Sequence, residues 1–258
     1  MLSAVSKFFT VTVFLSSTIF YLAPLKAAPS RVAIVIDDIG YRYTDKQALS
    51  LPGAITYSIL PHTPYGKELA LQANAQQKDV LLHIPMEAEN GKKLGPGALT
   101  SAMNEAQIVA SLNASLAEIP FAIGINNHMG SRLTQLDNSM TWTMGFLKRH
   151  DLLFLDSKTS PYSKASDIAK NIGVPVNRRH IFLDNQLTQS YINQQFQLLV
   201  QHAKNKSFAI AIAHPHPETI LALQQLIPTL EQNGIQLVSL SSLYAPQLTN
   251  DALVAVSE

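Results

Sequence analysis

Asp37 and Asp38 stand side by side at the end of the apolar run Val32–Asp38 (VAIVIDD). Three further apolar runs end on histidine: Val80–His83 (VLLH), Ala122–His128 (AIGINNH) and Phe208–His216 (FAIAIAHPH). Carboxylates and imidazoles are the side chains that hold first-row divalent metals and move protons near neutral pH. Each run reads as a buried β-strand with its polar residues at the C-terminal end. In parallel α/β folds those ends gather on one face, and active sites form there. An Asp pair and several His delivered to one rim have the makeup of a metal-dependent hydrolase site.

Adjacent strand residues face opposite ways, so one carboxylate of the Asp37–Asp38 pair can reach a metal while the other stands beside its water. Two close carboxylates repel unless a cation or a proton sits between them. The competing reading has one of them capping the turn that follows. His83 reads as a metal ligand, or as a buried ring satisfied by a carbonyl. Glu87 reads as a second ligand, a partner for an imidazole, or a loop carboxylate. In Gly124–Arg132 (GINNHMGSR), Asn126 and Asn127 offer amides suited to sugar hydroxyls or an acetamide. Arg132 could hold a carboxylate, and the alternative is a polar turn with a cap at Ser131. In the segment HPHP, residues before proline stay extended, which puts His214 and His216 on one side. A rigid His suits proton transfer, and His216 has a second reading as a helix lead-in. Asp156 and Asp184 end two more strands, and each reads as a tuner of a catalytic His, a substrate contact or a cap.

These residues need elements to carry them. Strand candidates fall at 32–38, 54–60, 79–84, 121–126, 152–156, 180–184, 208–214 and 235–240. Helix candidates lie between most of them: Pro64–Gln77, Asn104–Glu118, Asp137–Arg149, Ser163–Asn171, Thr188–Asn205 and Pro217–Asn233. Such alternation predicts a parallel sheet, and near-continuous apolar strands predict burial on both faces. The expected fold is α/β, a single (β/α) barrel domain, regular or irregular, over 28–246; an open doubly wound sheet is the alternative. A loose tail, 247–258, follows. The Gly/Pro/Lys-rich loop Glu87–Thr100 is placed to shape a cleft.

Residues 1–27 have the character of a signal peptide, with Lys7, an apolar stretch and a small residue at Ala27. That predicts export to the periplasm or medium; an uncleaved membrane anchor is the other reading. Without the leader, 17 basic side chains face 18 acidic ones. No footprint for nucleic acid and no polybasic lipid-binding cluster results. The chain has no cysteine. Disulfides, thiolate zinc sites and a Cys nucleophile are thereby excluded, and any metal must be held by His and carboxylate, which suits Zn²⁺ or a similar ion.

The strings IDDIG, LLHIPME, NNHMGSRLT, FLDS and AHPHPET, in this order, resemble the divergent branch of the polysaccharide deacetylase family over residues 31–245. The resemblance implies a distorted (β/α) barrel and metal-dependent removal of acetyl groups from sugar polymers, including peptidoglycan-type glycans. In the ordinary branch a Thr-Phe-Asp-Asp-Gly string supplies a base and then a ligand. By that likeness Asp37 is the base and Asp38 the ligand. His83 matches the first His of a ligand pair, but Glu87 holds the second position. From its place on the rim, His128 is the expected replacement. Ile212-Ala213-His214 is similar to the string that carries the catalytic acid. Asn126, Asn127, Arg132, His216 and Asp156 are the expected substrate contacts. A non-catalytic glycan-binding protein on the same scaffold is the alternative that the departure at Glu87 leaves open.

Overall fold

Residues of β1 (Ser30–Ile39) alternate between two interiors. Val32, Ile34 and Ile36 belong to an outer core that also holds Leu69, Ile108, Phe196 and Leu199 from the helices. Ala33 and Val35 turn the other way and pack with Leu81, Leu153, Leu155, Ile210 and Ile212. Both faces of the strand are buried, so it reads as one continuous apolar run.

The structure is a computed structural model and describes residues 28–244. The leader expected over 1–27 and the tail from Gln247 lie outside the described residues. After β1 come β2 (Thr56–Ile59), α1 (Gly66–Ala75), β3 (Val80–Met86), α2 (Glu105–Glu118), β4 (Gly124–Met129) and α3 (Asp137–Arg149). The second half holds β5 (Leu153–Asp156), α4 (Ala165–Ile172), β6 (Val176–Arg178), β7 (Ile181–Phe182), α5 (Gln189–Lys206) and β8 (Phe208–Ala213). It finishes with α6 (Pro217–Leu226), α7 (Thr229–Gln232) and β9 (Ile235–Leu237). Among the described residues no helix is long and apolar enough to cross a membrane.

Among the described residues all strand pairs are parallel. The order is β6-β5-β4-β3-β2-β1-β8-β7, with β9 against the start of β1. β6 and β7 are the two ends of that order, yet only Arg179 and His180 lie between them. The Arg179 N–H donates to Asp156 O and the His180 N–H to Ile210 O. The chain thus passes from pairing with β5 to pairing with β8 and joins the edges of a curled sheet. The architecture is a single-domain, distorted (β/α) barrel. Val238, Leu240, Leu243 and Tyr244 fill its base beneath the inner core, and the Tyr244 hydroxyl donates to Phe154 O at 3.0 Å. The opposite rim carries the strand C-termini.

Three local features depart from the expected elements. Val176–Arg178 is a strand, too short after Pro175 to show any alternation. The last helix breaks at Pro228, which has no N–H to continue the helical ladder. Tyr43–Ser50 forms a 3₁₀ segment anchored by buried Asp45, which accepts the N–H groups of Gly40 and Arg42, both at 3.0 Å.

Candidate metal centre

The alternation that turns Val35, Leu81 and Ile212 inward continues to the rim. There it turns Asp37, His83 and His214 to the same side, and Asn126 and His128 follow on β4. Strict alternation would send Asp38 the other way. Its backbone instead takes φ 60°, and the register between β1 and β2 shifts between Ile36 and Ile39. A bulge of this kind re-aims a side chain. Gly40 completes the bend at φ +136°, where a Cβ would lie 2.2 Å from Thr63 Oγ1.

Asp38 Oδ1 lies 3.0 Å from His83 Nε2 and 2.7 Å from His128 Nδ1. The two ring nitrogens stand 3.2 Å apart. Asp38, His83 and His128 each offer one ligand atom, all within 4.8 Å of one another. Donors around a tetrahedral ion with ~2.0–2.1 Å bonds are about 3.3 Å apart, so this spacing suits a divalent cation. A second observation agrees. Asp38 Oδ1 is buried and has no aligned hydrogen-bond partner, despite its two close nitrogens. Ligand atoms gathered this closely, with the carboxylate oxygen left without a partner, suit a cation between them. The donor set, two imidazoles and a carboxylate, fits zinc or a neighbouring first-row ion.

The electrostatics point the same way. Burial alone would raise Asp38, but the imidazoles of His128 and His83 outweigh it and hold the carboxyl well below the usual range. Burial raises Asp37, and the charges of His83 and His214 only partly offset this. Burial also pulls His83 down, yet the carboxylates of Asp37 and Asp38 prevail and lift it. Positive charge between these two carboxylates is therefore favoured, whether a proton or a metal supplies it.

His214 stands across from the cluster, its Nε2 3.8 Å from Asp38 Oδ2. Asp184 holds it from behind. Oδ1 meets His214 Nδ1 at 3.0 Å, and Oδ2 accepts the His214 backbone N–H at 2.7 Å and the Thr219 hydroxyl at 2.9 Å. Burial lowers His214, but Asp184, Asp38 and Asp37 together lift it to about 9. Asp184 was one of several strand-end carboxylates with an open role; the structure makes it the partner of this imidazole.

Other expected contacts are engaged within the protein. Asn126 is fully buried, with its amide between Asp37, His83, Ser58 and Ser157. It cannot reach a sugar hydroxyl. Asn127 donates to Met129 O and accepts the Ser157 N–H, which ties two rim loops together. Asp156 accepts the Lys158 N–H and the Ser163 hydroxyl, each at 2.8 Å, an Asx-type turn rather than a substrate contact. Arg132 is exposed but paired, its Nε 2.9 Å from Glu87 Oε1. Glu87 also accepts the Ser101 N–H, so this carboxylate braces the 87–101 loop and stays apart from the ligand cluster. The His216 N–H donates to His214 O, and the two rings lie 6.0 Å apart on the same rim. Ser58 escaped notice in the sequence, although a hydroxyl inside the apolar strand TYSI was its one signal.

The family model described as divergent polysaccharide deacetylase matches residues 34–244. The chain belongs to that family. Curated relatives include the uncharacterized protein YibQ of Escherichia coli K12, 38% identical over 83% of this chain and 67% of that protein. An uncharacterized Haemophilus influenzae protein is also 38% identical, over 84% of this chain and 78% of its own. Among solved structures, an uncharacterized Agrobacterium tumefaciens protein superposes with a TM-score of 0.81 at 27% identity, covering 84% of this chain and 90% of that one. A putative cellobiose-phosphate cleavage protein of Enterococcus faecalis gives a TM-score of 0.60 at 14% identity, over 84% and 99% of the two chains, a likeness of fold alone.

In this member of the family the third cluster member comes from β4. Glu87 cannot supply it, since both of its oxygens face Arg132 and Ser101.

Proposed function

We propose that this protein is a metal-dependent deacetylase acting on a cell-envelope polysaccharide outside the cytoplasm. The observation that carries the reading is the convergence of Asp38, His83 and His128, with Asp37 and His214 on its flanks. Asp38, His83 and His128 would hold the ion, zinc by donor type. When bound, such an ion supplies Lewis-acid chemistry, polarising a carbonyl and making water more acidic. Asp37 takes the proton of the attacking water, since its carboxylate is buried beside the cluster. His214, kept protonated and oriented by Asp184, gives a proton to the departing amine or alkoxide. His216 and Arg132 remain the rim groups open to substrate. The leader over 1–27 is the basis for export, and a cut or uncut leader decides between a soluble and an anchored enzyme.

Acetate release from acetylated chitin and peptidoglycan fragments tests the reading, with and without added zinc. Metal-dependent acetate release that disappears in D38A is the expected result. Stoichiometric glycan binding with no acetate, in zinc-loaded protein, would replace it with the glycan-binding alternative.

A further inference from the structure

We propose that Asn126 is a positioning residue whose single amide sets the ring of His83 and the carboxylate of Asp37 together. The proposal rests on the metal-hydrolase reading above. Asn126 lies on the inner side of β4, wholly shielded from solvent. Its Nδ2 donates to Asp37 Oδ1 at 2.8 Å, which turns the donor side of the amide to that carboxyl group. Oδ1 must then face His83 Nδ1, 2.8 Å away, and that nitrogen must carry the hydrogen. In the neutral ring this leaves the lone pair on Nε2, the atom 3.0 Å from Asp38 Oδ1 and 3.2 Å from His128 Nδ1.

The amide is itself held. The Ser58 hydroxyl of β2 donates to the same Oδ1, and Ser157 Oγ lies 3.3 Å from Nδ2. Both donor and both acceptor positions are filled, so the group cannot turn without breaking contacts to four other strands or their ends. An amide presents one donor and one acceptor side by side. A carboxylate in its place keeps the acceptor toward His83 and turns the donor toward Asp37 into a repelling oxygen. N126D therefore separates the two functions, whereas N126A removes both.

The experiment titrates zinc alone into the full chain at one pH and measures turnover on the same preparations. N126A is expected to weaken zinc binding about 10–100-fold, the usual effect of losing a partner behind a ligand imidazole. N126D is expected to bind zinc at least as tightly as the wild type while turnover falls about 100-fold. Equal loss of zinc affinity in both variants overturns the proposal, as does wild-type turnover in N126D. Should N126A fail to fold by circular dichroism, N126D decides alone: retained zinc affinity with lost turnover supports the role, and weakened zinc binding overturns it. A wild-type chain that takes up no zinc removes the metal reading and this proposal with it. Variants that match a zinc-binding wild type remove only the role of Asn126.

Discussion

His128 Nδ1 stands 2.7 Å from Asp38 Oδ1, although β4 and β1 are not neighbours in the sheet. β2 and β3 lie between them, and only the curl of the barrel brings the two ends together. We expect H128A to lose zinc affinity by more than about 100-fold, since it removes a ligand and not merely a partner. E87Q should bind zinc like the wild type, because Glu87 is occupied with Arg132 and Ser101. Zinc titration of both variants checks the pair, and the opposite ranking would restore Glu87 as the ligand.

Asp184 presents one oxygen to His214 Nδ1 and the other to the His214 N–H and Thr219. In D184N the amide must aim a donor at one of these partners, and the ring loses its anionic support. We expect kcat to fall about 100-fold with little change in KM, the size of effect typical of a misplaced acid–base group. Steady-state kinetics on an acetylated oligosaccharide separates this from a loss of binding, which would appear in KM alone.

Asp45 is buried and closes the turn directly after the Asp37–Asp38 pair. In D45A the buried Gly40 N–H loses its acceptor, at a cost of about 1–3 kcal/mol. Urea unfolding should show that loss. Turnover should fall as well, because the bend that aims Asp38 is anchored there. Unchanged stability would mean that the turn holds itself.

His180 supplies a pH dependence of stability away from the site. Burial lowers it to about 4, and the nearby cations of His202, Arg178, Lys158 and Arg179 act in the same sense. Its Nδ1 accepts the Ile210 N–H at 2.9 Å, which the neutral ring alone can do. The unfolded chain binds this proton from about pH 6.5 downward, while the folded one does not until about 4. The contribution is thus complete above pH 6.5 and is lost as pH falls toward 4. H180L should be less stable than wild type at pH 7 and should lose less between pH 7 and 5, as read from urea midpoints.

Much of the barrel was legible in the chain itself. Continuous apolar strands announced two buried faces, and their polar endings announced the rim. Those signals are strong because β1, β3 and β8 each carry a run of five or more consecutive buried residues. Val176–Arg178 and Ile181–Phe182 were harder, since two or three residues carry no period and their pairing depends on a closure seen only in the whole sheet. Asn126, Asn127 and Asp156 were drawn toward substrate by their polarity. Burial redirects them to neighbouring backbone and side chains, because polar groups inside a protein must find partners there.

Residue order by itself determined which side chains end the strands, because a period of two and the hydrophobic effect act locally. It therefore gave the expectation that Asp37, His83, His128 and His214 share one rim. The fold decided which of them meet. The kink at Asp38, the curl that joins β1 to β4 and the choice of Asp184 behind His214 depend on contacts between distant segments, and no local pattern encodes those distances.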